Sequence, residues 1–256
     1  MIRISWILPA AALAATGGCV VVSTETVTRN YELAGFDSVS AHAGVNVVLK
    51  QGPFDVSAEG PRRKIDNLRI EKQGSSLVIS RESDVSSSWF NWSDRDVVTV
   101  VAPDYAAIEA SGGADVDADG LRLAALNIKA GGGADVNIDG LTLGTLTVRA
   151  NGGADVNARR VSLETLDASA GGGADIEVSG DCRSAMVETS GGGDFNGQDL
   201  RCETATVSAS GGGDADITAT ASASGRASSG GDVRFHGNPV RFEKEESGGG
   251  DVHSGL

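Results

Sequence analysis

An aspartate recurs every eighteen to twenty residues through the C-terminal half of this chain, at Asp115, Asp135, Asp155, Asp175, Asp194, Asp214, Asp232 and Asp251, each behind a glycine-rich corner. One position later stand Val116, Val136, Val156, Ile176, Phe195, Ala215, Val233 and Val252. Next comes a polar column of Asp117, Asn137, Asn157, Glu177, Asn196, Asp216, Arg234 and His253, followed by small or apolar residues such as Ala118, Ile138 and Phe235. Alternation with period two is the mark of a strand with one face buried. Later in each unit Leu121, Leu123, Leu126 and Ile128 are echoed by Leu141, Leu143, Leu146 and Val148, and no stripe of helical period accompanies them.

A unit near twenty residues is too short for a helical-hairpin repeat, and the asparagine of a leucine-rich repeat is missing. The pattern predicts an all-β chain folded as a parallel β-helix of roughly 20-residue coils, each ~4.8 Å above the last, with like residues in ladders. A single unit cannot bury its apolar face, but the stack can. A thin interior of Val, Leu, Ile and Ala fits the 4% aromatic content. The nonapeptide calcium-binding β-roll also reads glycine, glycine, aspartate, but its period is different.

Residues 1–18 have the layout of a secretory signal: Arg3, the apolar run from Trp6 to Ala15, then small residues before Cys19. The run is too short to span a bilayer. Thr16-Gly17-Gly18-Cys19 resembles the bacterial lipobox, with Thr16 in the place where leucine is usual. That resemblance implies lipidation, palmitate included, at Cys19 and a membrane-anchored tether over residues 19–34. Val20 stands where the inner-membrane retention signal has aspartate, which implies outer-membrane delivery, facing the periplasm or the cell surface. Formal net charge is −14, and loss of Arg3 with the signal makes it −15. Such acidity excludes nucleic acid and an anionic lipid surface as partners.

Two further cysteines, Cys182 and Cys202, each lie twelve residues before the next ladder aspartate, in the inward slot that Leu123, Leu143 and Leu163 hold. Thiols in one slot of adjacent coils have Cα atoms ~4.8 Å apart, within disulfide range. A bridge is therefore expected in an oxidising compartment, the alternative being two reduced cysteines packed as small core residues.

Residues 35–105 lack the repeat yet remain β-rich, with strands expected at residues 36–40, 45–50, 55–58, 68–72, 77–80 and 97–101 and turn signals between them. They are expected to cap the helix formed by residues 106–256, whose end would otherwise be an open edge. The stretch Tyr31-Glu32-Leu33-Ala34-Gly35-Phe36-Asp37-Ser38-Val39, then Gly44-Val45-Asn46-Val47-Val48-Leu49-Lys50-Gln51-Gly52, then repeated Gly-Gly-Asp corners, resembles the head GIN domain family of autotransporter adhesins. The resemblance covers nearly everything after the tether. It implies a right-handed β-helix on an exported, often lipidated bacterial protein, and it carries no assigned catalytic residues.

Four features invite chemistry. Ladder carboxylates ~4.8 Å apart repel by roughly 0.9 kcal/mol per pair even at the dielectric of water. Each is expected to accept N–H groups from its own glycine corner, and the alternative is a calcium ladder on Asp115, Asp135, Asp155, Asp175, Asp194 and Asp214. The column with Asn137, Asn157 and Asn196 reads as an amide ladder supporting the stack, or as a flat glycan-binding face. Trp89, Phe90 and Trp92 sit between serines and charges, as a contact surface that stacks on a glycan, inserts into a membrane interface or docks on another envelope protein, or as a plug over the end of the helix. Asp115, Asp117 and Asp119 line one outward face, the pattern a carbohydrate-active enzyme on this scaffold would use. The motifs of nucleophilic, zinc-dependent and phosphate-binding enzymes are missing, as is any cofactor signature, and the three histidines are scattered. The expected function is non-catalytic: an adhesin-like head that binds a surface ligand or serves the envelope structurally.

Overall fold

The computed structural model describes residues 25–82 and 96–255. Among these residues, nineteen strands form one continuous sheet wound around an apolar core. The N-terminal third holds β1 (Thr26–Tyr31), β2 (Ser38–His42), β3 (Asn46–Gln51), β4 (Asp55–Pro61), the short helix α1 (Arg62–Asp66), β5 (Leu68–Gln73), β6 (Ser76–Arg81) and β7 (Val97–Ala102). The repeats begin with β8 (Ala107–Ser111), β9 (Asp115–Asp119), β10 (Arg122–Gly131), β11 (Asp135–Asp139) and β12 (Thr142–Asn151). Four long strands then bend through two faces each: β13 (Asp155–Gly171), β14 (Asp175–Ser190), β15 (Asp194–Ser210) and β16 (Ala215–Ser228). The stack closes with β17 (Val233–His236), β18 (Arg241–Ser247) and β19 (Val252–Ser254).

The repeats pair in parallel at the register the sequence predicts, with Asp115, Asp135, Asp155, Asp175 and Asp194 directly opposite one another on successive strands. Val116, Val136, Val156, Ile176 and Phe195 all point inward and are 0–2% exposed. Leu126, Leu146 and Leu166 form a second inward column. Each coil thus contributes a few aliphatic side chains, and the repeat buries them only against its neighbours.

The N-terminal third does more than cap. The coil formed by β2 and β3 stacks in parallel on β8 and β9, and the coil formed by β6 and β7 stacks on its other side. Sequence order and stacking order therefore differ here. The chain lays down β2 and β3, leaves through β4, α1 and β5, returns as β6 and β7 on top, and crosses back below. Tyr105 secures that crossing. It is fully buried, and its one hydroxyl proton is shared between the carbonyls of Lys50 and Val100, both at 2.9 Å. Burial pushes its phenol pKa up to about 12. Gln51 acts as a substitute backbone across the same junction, its amide donating to the Arg122 carbonyl at 2.9 Å and accepting from the Arg122 N–H at 3.0 Å.

The cap itself is antiparallel: β4 lies against β7, β1 against β4, and β5 against β6. Ile65 of α1, fully buried, seals the end of the core. Residues 26–31, expected as part of the tether, form β1. Their polar composition conceals the strand, because β1 lies at an edge and buries none of its residues fully. At the opposite end, β18 places Lys244 and Glu246 opposite the inward positions Gly225 and Ala227 of β16, where they pair at 2.8 Å. Charge in the inward slots of a terminal strand discourages further strand addition.

Candidate functional site

The aspartate ladder divides into two parts with different hydrogen bonding. In the first part the residue before each aspartate is Ala114, Ala134, Ala154 or Ala174, all fully buried. The N–H groups of Asp135, Asp155, Asp175 and Asp194 bond the carbonyls of those alanines at 2.9–3.0 Å, as an ordinary ladder would. Among the described residues, the carboxylates of Asp115, Asp135, Asp155 and Asp175 accept no hydrogen bond. In the second part that preceding residue is Gly193, Gly213, Gly231 or Gly250. Each of these glycines closes a turn by donating to Ser190, Ser210, Ser228 or Ser247 three residues earlier, at 3.1–3.3 Å. The carboxylates of Asp194, Asp214 and Asp232 then accept the N–H of the next coil's aspartate at 3.0–3.1 Å.

This corrects the expectation that each carboxylate caps its own corner. The glycine corners close through backbone bonds and the alanine corners turn without one, all of them through consecutive residues at positive φ such as Gly191 at 63° and Gly192 at 83°, the dihedrals of a type I′ turn. The carboxylate is thereby left to reach the coil above or to stand in solvent. Where it stands free, repulsion acts. Asp135 is held above the usual carboxylate range by burial and then by the negative charge of Asp115. Asp175 is raised by burial, then by Asp155 and Asp194. As for the calcium ladder, among the described residues no group of three or more His, Cys, Asp or Glu side chains is arranged to hold a metal ion.

The boundary between the two parts is stapled. Cys182 and Cys202 lie opposite one another on β14 and β15 with Cα atoms 4.5 Å apart, and they are disulfide-bonded.

The amide ladder forms at two of its three expected members: Asn157 donates to Asn137 at 3.2 Å and Asn137 to Asp117 at 3.3 Å, whereas Asn196 stands opposite Glu177 and Asp216 and accepts the N–H of Gln198 at 3.2 Å. Val48, Asp117, Asn137 and Asn157 make one outward column over β3, β9, β11 and β13. A second column, Asp119, Asp139 and Arg159, runs beside it along β9, β11 and β13, and Lys50 at the end of β3 lines the same surface. Between them lies a groove of about 320 Å³. Arg160 pairs with Asp139 at 2.8 Å. Sequence reading found the amides but not the groove, because Val48 and Lys50 belong to a coil that enters the stack out of sequence order.

Cys19 and the aromatic group Trp89, Phe90 and Trp92 lie outside the described residues. The residues bracketing the aromatic segment do not. Asp96 is 1% exposed, in the inward slot that Val45 and Ala114 occupy in the neighbouring coils. Its carboxylate pairs with Arg81 at 2.6 Å and with Lys64 at 3.6 Å, while its carbonyl accepts from Asn46 at 3.0 Å. A buried carboxylate is stable only when so paired. The three charges clamp together the points where the chain leaves β6 and enters β7. No sequence signal marks this clamp, since its partners are fifteen or more residues apart.

Among the described residues, no helix is long and apolar enough to cross a membrane. The fold and its surface define a class of protein: a β-solenoid head with a closed apolar core and side-chain columns on its outward faces. Within that class, the chain belongs to the head GIN domain family, whose description, "Putative auto-transporter adhesin, head GIN domain", matches residues 35–239. Similar solved structures include a putative adhesin from Parabacteroides distasonis ATCC 8503, 18% identical with a TM-score of 0.81 over 90% of this chain and 97% of that one. Another is a putative adhesin from Bacteroides fragilis NCTC 9343, 22% identical with a TM-score of 0.66 over 91% and 98%. A third is a putative lipid binding protein from Parabacteroides distasonis ATCC 8503, 18% identical with a TM-score of 0.68 over 90% and 96%. At these identities the likeness establishes the fold. No curated protein matches the chain.

Proposed function

We propose that the protein is a non-catalytic cell-envelope lipoprotein, exported and anchored in the outer membrane through Cys19, whose β-solenoid head binds a surface ligand. The observation that carries this reading is the clamp of Arg81, Asp96 and Lys64. It puts a charged residue into a core slot that neighbouring coils fill with Val45 and Ala114. That substitution is unfavourable for the core alone. It makes physical sense if the ends of the segment bearing Trp89, Phe90 and Trp92 must be held at one corner of the stack. Aromatic side chains supply large contact area at little entropic cost, which suits a recognition element. The family membership and the adhesin names of similar structures point the same way.

The test compares attachment of the native head and of its Trp89→Ala/Trp92→Ala variant to isolated bacterial envelopes. Attachment that falls at least tenfold with unchanged thermal melting supports the reading. Equal attachment by the two proteins sinks the aromatic contact. The anchor is checked separately: Cys19→Ser should move the protein from the membrane to the soluble fraction and abolish lipid labelling.

A further inference from the structure

We infer that the groove between the two outward columns of β3, β9, β11 and β13 binds a neutral linear oligosaccharide, lying lengthwise along the stack. The inference rests on the reading of the chain as a ligand-binding head, and it names a ligand class and a second surface for it.

Charge balance is the first argument. The chain carries a formal charge of −14, yet Asp117, Asp119 and Asp139 in the groove lining stand with Lys50 and Arg159, and Arg160 beside the groove pairs with Asp139. A site for a cation would keep the carboxylates unopposed, and a site for an anion would not contain them. Mixed, balanced charge next to amides suits an uncharged ligand rich in hydroxyl groups, each of which both donates and accepts.

Hydrogen-bond capacity is the second. Each stacking bond of the amide ladder uses one N–H of Asn137 or Asn157. The second N–H of each amide and the Asn157 carbonyl stay free for a ligand. Facing them, Lys50 donates at one end of the trough and Arg159 at the other, while Asp119 and Asp139 accept between. Donor and acceptor therefore recur on both walls at the coil spacing of ~4.8 Å, close to the length of one pyranose ring. Val48 adds an apolar patch to the wall, for the carbon face of a ring. A straight chain of sugars matches this repeat over successive coils. A peptide strand, whose side chains alternate in direction, presents only every second one to such a wall.

The test uses the Cys19→Ser form of the full exported chain with four hexamers: cellohexaose and chitohexaose, both neutral, the cationic chitosan hexamer and anionic oligogalacturonate. Saturation-transfer NMR and calorimetry read binding. The expected result is binding of a neutral hexamer, insensitive to salt, at least tenfold weaker in Asp119→Ala and in Lys50→Ala. Lys50→Ala disturbs no ladder bond, so its melting should equal that of the native chain. Silence from both neutral hexamers at millimolar concentration overturns the inference. So does salt-sensitive preference for a charged hexamer, or neutral-hexamer binding that both variants retain. If the groove variants bind envelopes normally while Trp89→Ala/Trp92→Ala does not, the groove is refuted and the ligand-binding head survives. If no variant affects envelope attachment, both ideas fall.

Discussion

The first four ladder corners and the last four share a backbone path through two positive-φ residues, yet they differ by one methyl group per coil. Alanine at positions 114, 134, 154 and 174 points into the core, and the following coil's N–H finds its carbonyl. Glycine at 193, 213, 231 and 250 has no room for that methyl. A Cβ on Gly193 would lie 2.6 Å from the Gly171 nitrogen, and one on Gly213 would lie 2.6 Å from the Gly193 carbonyl oxygen. The tighter corner turns its N–H back to serine, and the aspartate carboxylate becomes the acceptor for the next coil. The same residue type at the same repeat position is therefore a spectator in one half and a structural bond in the other. Identity in a repeat does not establish identity of role.

The sharpest way to break that contrast is to cut the staple between the halves. Cys182 and Cys202 close a loop of about twenty residues, for which the chain-entropy model gives ~3 kcal/mol. Cys182→Ala/Cys202→Ala should lower stability by about that amount. Hydrogen exchange should quicken first from β15 onward, because the glycine-rich half loses its tie to the alanine-cornered half. Uniform quickening along the whole stack would show that the two halves are one cooperative unit.

Swapping corner residues should come next in size. Gly213→Ala forces a methyl against backbone and should cost about 1–3 kcal/mol, whereas Ala134→Gly removes a methyl and adds chain entropy, costing roughly 1 kcal/mol. Equal losses in urea melts would mean that the corners are interchangeable.

The carboxylates themselves should differ less. Asp214→Ala deletes the acceptor of the Asp232 N–H and should cost about 1–2 kcal/mol, since that hydrogen bond is charge-assisted but exposed. Asp155→Ala deletes none and should stay within about 0.5 kcal/mol of the native chain. A comparable loss at both positions would restore the idea that every ladder aspartate caps something.

The repeat was legible because period-two alternation and the aspartate interval survive in eight copies, and one register suffices to place Cys182 against Cys202. What stayed hidden arises from contacts that no local pattern encodes. The β6 and β7 coil stacks on β2 and β3 across an intervening antiparallel excursion, so the surface that Val48 and Lys50 line cannot be assembled by reading in order. The clamp joins Arg81, Asp96 and Lys64 through the same excursion. The two kinds of corner were visible as Gly-Gly-Ala-Asp and as Gly-Gly-Gly-Asp, with Ser229 replacing the first glycine in one copy. Their consequence was not, because it depends on an approach between coils of a fraction of an ångström.

The smallest predicted effect is a pH dependence of unusual sign, confined to the alanine-cornered half. Asp135 and Asp175 have native pKa values raised above 3.8, by burial first and by neighbouring carboxylates second. A raised native value means that the folded state holds the proton more tightly than the unfolded chain does. Stability attributable to these two groups therefore increases as pH falls through the raised native value towards 3.8, and levels off below it. Glu246 contributes in the opposite sense, since its hydrogen bond to Lys244 holds it below 4.5, and that contribution is lost on acidification. A plain acid melt mixes the two signs, so the informative measurement is a difference. Asp175→Asn should be more stable than the native chain at pH 7 by roughly 0.5 kcal/mol at low salt, the scale of like-charge repulsion in water. The gain should shrink with added salt and vanish by about pH 3, where the native carboxyl is protonated in both states. Asp214→Asn, which replaces a charged acceptor by a weaker one, should be less stable than the native chain at pH 7. Urea melts of the three proteins at pH 7 and pH 3 decide the matter: a destabilising Asp175→Asn, or a stabilising Asp214→Asn, would erase the distinction between the halves at the level of charge.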